Sequence, residues 1–99
     1  MKKVNVVYEY DFNEVDIILI PDFVEEKLNE YVQKFFNWLA QSTDSRFCKI
    51  TKSGYIVHLC DTEGFLYWLN TFVIDSDQDK ATMLLEKVPY NPGYKMADF

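Results

Sequence analysis

Glycine is scarce in this chain: Gly54, Gly64 and Gly93 are the only three among 99 residues. None can build the glycine-rich turn with which a P-loop or a Rossmann unit cradles phosphate, so nucleotide binding by either device is excluded. No Gly-x-Ser-x-Gly elbow is present to raise a serine nucleophile. One histidine, His58, and two cysteines, Cys48 and Cys60, leave little material for a metal centre. Together they would supply three zinc ligands without the close Cys-x-x-Cys pair of structural sites. Long apolar runs are missing too. Nothing approaches the ~20 residues that span a bilayer, and Asn5, Glu9 and Asp11 interrupt any export segment in "MKKVNVVYEYD". A cytoplasmic protein with free thiols is expected.

Positive charge is also in deficit. Ten Lys and Arg stand against sixteen Asp and Glu, a formal net charge of -6. Such a field repels nucleic-acid phosphate and anionic lipid and attracts a basic protein. What the chain has in plenty is apolar mass, 48% hydrophobic with 17% aromatic, which argues against disorder. A single domain over residues 1–99 is expected, hiding roughly two-thirds of the surface its unfolded chain would expose.

Periodicity then orders the elements. Val4, Val6, Tyr8, Tyr10 and Phe12 alternate with mostly polar neighbours, and "EVDIILI" (14–20) is β-branched, so the two read as an antiparallel hairpin. From Pro21 to Gln41 the apolar residues Val24, Leu28, Tyr31, Val32, Phe35 and Leu39 recur at helical spacing. Asp22 as N-cap, with Glu25 three residues on, would form a capping box. "RFCKIT" and "GYIVHLC" flank a turn at Gly54; a two-residue Ser53-Gly54 loop would group Cys48, Ile50, Tyr55, Val57 and Leu59 on one face. Asp61 is placed as the N-cap of a second helix carrying Phe65, Leu69, Phe72 and Val73. "SDQDKATMLLEKV" (76–88) reads as a third helix begun by Ser76, with a strand through Ala81, Met83 and Leu85 as the competing reading. Pro89 and Asn91-Pro92-Gly93 make the tail a turn. The expectation is an α+β fold, a mainly antiparallel sheet of about four strands packed by helices in the order ββαββαα.

Chemistry-bearing residues are few. His58 and Cys60 could serve a small thiol enzyme as base and nucleophile, although residues two apart on a strand do not converge on one reacting atom. Asp75, Asp77, Asp79 and Glu86 match positions 1, 3, 5 and 12 of an EF-hand loop, but Lys80 occupies the position where glycine makes the sharp turn. The bland reading is a solvated acidic loop, with no cofactor and no metal. Asp11, Glu14 and Asp16 are close in sequence, but a domain this small is not expected to offer the deep cleft that paired-carboxylate hydrolysis needs.

Acidic charge combined with surplus tyrosine and tryptophan is what remains. Tyr and Trp anchor protein interfaces, and carboxylates around them steer a basic partner. In "VNVVYEYDFNEVDI" and "DTEGFLYWLNTFVIDSDQD" the chain resembles bacterial immunity proteins, including those of contact-dependent growth inhibition systems. That resemblance implies a non-catalytic inhibitor occluding the basic active-site region of a nuclease toxin. The expected contacts are Asp75, Asp77, Asp79, Tyr67 and Trp68, with Glu9, Asp11, Glu14 and Asp16 as a second patch. A structural or regulatory subunit of a homo- or hetero-oligomer is the alternative, since Leu66, Tyr67 and Trp68 widen the apolar surface of the second helix.

Overall fold

In a computed structural model describing residues 1–99, the amino-terminal alternation makes β1 (Lys2–Val7) and β2 (Val15–Ile20), paired antiparallel with Val4 opposite Ile18. β1 stops earlier than its alternation suggests. Tyr8 to Asp11 form a tight turn, closed by Asp11 N–H donating to Tyr8 O at 2.9 Å, with Glu9 and Tyr10 both left-handed at φ 51° and 59°. That is the backbone of a type I′ turn, normally given to Asn and Gly.

The predicted long helix is two. α1 (Asp22–Glu26) and α2 (Leu28–Gln41) meet at Lys27, whose φ of -120° and ψ of 38° leave the helical region. The capping box does not form, because Pro21 occupies the cap position without a side-chain bond. Glu25 instead pairs with Lys95 at 3.1 Å, and the same ammonium donates to Glu25 O at 3.0 Å. α2 buries Leu28, Val32, Phe35 and Leu39, its predicted stripe.

β3 (Cys48–Ile50) and β4 (Ile56–His58) form a separate two-stranded ribbon. Its turn has three residues, not two. Cys48 faces His58 and Ile50 faces Ile56, and Thr51 N–H donates to Tyr55 O at 2.8 Å around Lys52, Ser53 and Gly54. Gly54 at φ 85° takes the left-handed position that closes such loops, which outweighs the apolar grouping of a two-residue turn.

α3 (Thr62–Trp68) begins as expected, with Asp61 Oδ1 accepting from Gly64 N–H at 2.7 Å. A Cβ at Gly64 would lie 3.0 Å from that oxygen and 3.4 Å from Phe47, so glycine permits the close approach. The helix ends in a π-turn over Leu69–Val73.

The predicted third helix is absent, and the competing strand is present. Ser76 caps only a single 3-10 turn over Asp77–Asp79. Asn70 then fixes Ala81 in extended form, donating to Ala81 O at 2.9 Å and accepting from Ala81 N–H at 2.7 Å. From there β5 (Thr82–Val88) pairs with β2, and β6 (Lys95–Asp98) pairs parallel with β1. The order is therefore ββααββαββ, with one four-stranded sheet, β5-β2-β1-β6. The class remains α+β.

One face of this sheet carries the main core, in which Val4, Val6, Ile18 and Ile20 meet Phe35, Phe65, Trp68 and Leu69 from the helices. Residues 89–94 connect β5 to β6 past the opposite face, where Tyr90 and Tyr94 pack on Val7, Val15 and Ile17. No helix is long and apolar enough to cross a membrane.

Candidate functional site

The two acidic patches read from the sequence meet different fates. Trp68 is only 6% exposed and lies among Phe35, Phe65 and Tyr31, so it is a core residue and not a contact. Of the residues that widen this helix's apolar surface, Trp68 packs against Phe35 of α2, whereas Leu66 and Tyr67 stay half-buried. Tyr67 is half-buried; Arg46 donates to its hydroxyl at 3.1 Å and stacks 4.5 Å above its ring. Asp75, Asp77 and Asp79 are exposed on the loop before β5, without their predicted aromatic neighbours as anchors. β5 is extended and rises ~3.3 Å per residue, so Glu86 is carried away from that loop and the EF-hand arrangement does not form. No group of three His, Cys, Asp or Glu side chains is arranged to hold a metal ion.

Glu9, Asp11, Glu14 and Asp16, in contrast, are brought together. They line a cleft of about 340 Å³ with Tyr8 and Lys87. A second cleft of about 350 Å³ shares Tyr8, Asp16 and Lys87 with the first and adds Asp61, Thr62, Glu63 and Glu86. Seven carboxylates thus face one continuous concavity with a single lysine among them. The loop after β1, the start of β2, the N-terminus of α3 and the middle of β5 each contribute.

Local structure explains the convergence. Asp16 alternates to the helix side of β2, where α3 starts, and Asp61 and Glu63 are there because a helix N-terminus favours carboxylates. β5 contains two irregularities: Val15 faces Val88, Ile17 faces Leu85 and Ile18 faces Met83, leaving an extra residue at each step. Such bulges re-aim side chains. Lys87, at φ 52°, is one of three left-handed non-glycine residues; the others, Glu9 and Tyr10, lie on the turn after β1, where Glu9 lines the first cleft. Each costs roughly 1–2 kcal/mol of backbone strain.

A directional hydrogen-bond chain holds the floor. A carboxylate accepts only, so Thr62 Oγ1 donates to Asp16 Oδ2 at 2.6 Å. Tyr8 then donates its proton to Thr62 Oγ1, and Thr62 N–H donates to the Tyr8 oxygen. Asp16 Oδ1 accepts from Lys87 N–H at 3.3 Å. Burial pushes the Tyr8 hydroxyl up to about 12, against the opposing effect of its Thr62 bonds, with Asp16 and Asp61 adding to the rise. Tyr8 is therefore a neutral donor at physiological pH, and the arrangement presents fixed negative charge to a cation.

His58 and Cys60 are not assembled as base and nucleophile. Burial, with Asp61 beside it, pushes the Cys60 thiol up to about 11, the reverse of activation. His58 Nδ1 is buried without a hydrogen-bond partner, and Cys48 donates to Asp44 O at 3.2 Å. Both cysteines are free.

Sequence reasoning missed Tyr8, Thr62, Asp61, Glu63 and Glu86 as cleft residues; Tyr10, between the cleft residues Glu9 and Asp11, is 71% exposed. The available signal was the string "YEYDFNEVD", in which a strand-like alternation carries four carboxylates. The fold defines an α+β protein with an acidic concavity at the helix-facing edge of its sheet. Compared with known proteins, the chain matches no family model, no curated sequence and no solved structure.

Proposed function

We propose that this protein acts by binding and occluding a basic protein, with the acidic concavity as the contact surface. The observation that carries this reading is the gathering of seven carboxylates around a single lysine, on a floor fixed by the Tyr8–Thr62–Asp16 chain. Lysines and arginines of the partner would enter the clefts, and Tyr10, exposed between the cleft residues Glu9 and Asp11, would supply the aromatic anchor that Trp68 cannot. A nuclease toxin, which uses such cations to hold phosphate, is the partner that the immunity-protein profile suggests. Fixed, aligned carboxylates accelerate encounter with a basic surface and pair with it at contact. The protonated Cys60 favours this reading over a thiol enzyme.

The test is affinity capture from the source cells, followed by binding kinetics with the captured protein. A basic protein is expected, associating more slowly as salt rises and losing at least tenfold in affinity to Glu14→Lys with Glu86→Lys. A captured partner without excess positive charge, or one indifferent to those reversals, would remove the cleft from the account.

A further inference from the structure

Residues 49 to 57 are all exposed. They form the outer part of the β3–β4 ribbon, which no third strand extends. Ile50 is 76% exposed and Tyr55 73%, with Ile56 and Val57 also open. A two-stranded ribbon is marginal by itself, and apolar side chains clustered in water mark a surface that meets another molecule. Its charge indicates which. From Arg46 to Leu59 the chain carries three cations and no carboxylate, so all sixteen carboxylates lie elsewhere. Asp44 engages Arg46, whereas Lys49 and Lys52 have no ion-pair partner.

We propose that this ribbon docks into the acidic cleft of a second copy of the chain. Charge complementarity selects that occupant: a projection that carries cations and no carboxylate faces a concavity lined by seven carboxylates and a single lysine. The exchange closes on itself. β4 ends at His58, and only Leu59 and Cys60 separate it from Asp61 on the cleft rim, so ribbon and cleft adjoin. A two-fold axis near residues 59 and 60 lets each copy insert its ribbon into the other, giving a closed dimer and not an open fibre. At about 0.15 M salt the long-range repulsion between two copies of charge -6 is screened within about 8 Å, while charges in contact still pair. Copy–copy association needs no foreign protein, so its failure and that of the proposed inhibitor role are separable. A basic partner would compete with the ribbon for the same cleft.

Sedimentation velocity on the full chain, from micromolar to near-millimolar concentration, reads the association directly. The wild-type protein is expected to dimerise. Lys49→Glu with Lys52→Glu, and separately Glu14→Lys with Glu86→Lys, should each weaken the dimer at least tenfold, and mixing the two variants should restore it, because both contacts are then complementary again. All four positions are exposed, and circular dichroism verifies that each variant is folded. A monomer throughout, a dimer that survives either reversal, or a mixture that stays monomeric would overturn the proposal.

Discussion

Asn5 and Asn91 exchange two hydrogen bonds across 86 positions of sequence. Asn5 Nδ2 donates to Asn91 O at 2.8 Å, and Asn91 N–H donates back to Asn5 Oδ1 at 3.0 Å. The same Asn5 amide reaches Tyr94 O at 3.2 Å. A fully buried asparagine in the middle of β1 thus satisfies the backbone of the segment that runs past the sheet, and it sets where β6 joins β1.

Asn5→Ala leaves those partly buried backbone groups without their partner, and a group so left costs up to about 1–3 kcal/mol when fully buried. We expect a total loss on the order of 3 kcal/mol in urea unfolding, with the amides of β6 exchanging faster than those of β2. An unchanged urea midpoint would mean that the segment is held by the packing of Tyr90 and Tyr94 alone.

Tyr8 makes stability depend on alkaline pH. Its hydroxyl is held up to about 12 in the folded state, against about 10 in the unfolded chain. Between those values the unfolded state has lost a proton that the folded state keeps. The contribution is therefore fully present below about pH 10 and is lost as pH rises toward 12. Absorbance of tyrosinate should show a late-titrating ring that disappears in Tyr8→Phe, and the variant should lose stability less steeply over that interval. If the tyrosine lost in Tyr8→Phe is one that titrates near pH 10, Tyr8 is in contact with solvent.

Cys60 should resist alkylation. With its thiol pushed up to about 11, the thiolate fraction at neutral pH falls roughly two orders of magnitude below that of a free cysteine near 8.5. In a Cys48→Ser background, iodoacetamide should react with Cys60 about a hundredfold more slowly than with a small thiol, the rate climbing with pH toward 11. Rapid labelling at pH 7 would revive the pairing of Cys60 with His58.

Where a single local signal decided the structure, the sequence was legible. The stripe on α2, the Asp61 cap and the β1–β2 alternation all depend on residues a few positions apart. The third helix failed because its outcome depends on a distant residue: Asn70 captures both backbone groups of Ala81, and β2 offers an open edge that outcompetes one turn begun by Ser76. Beside the break at Lys27 a distant residue is also engaged, the Glu25 carbonyl accepting from Lys95, 70 positions away. For the cleft, four carboxylates were readable because they sit on one connection. Asp61, Glu63 and Glu86 join only through the packing of α3 and β5 against β2, which no spacing encodes.

Tyr10 offers the sharpest separation of stability from function. Its left-handed backbone costs a side-chain-bearing residue roughly 1–2 kcal/mol, and glycine removes that cost while giving back part of it through a more flexible unfolded chain. Its ring is 71% exposed, so little packing is lost on truncation. Tyr10→Gly should therefore raise stability by about 0.5–1 kcal/mol, seen as a higher urea midpoint. Glu9 and Asp11 on either side line the cleft, which places the ring where a docked basic protein would meet it. The stabilised variant should bind that partner at least tenfold more weakly through faster dissociation, as expected of a lost anchor. If stability rises and affinity is untouched, the ring is no anchor, and the strain at this turn serves only to direct Glu9 and Asp11.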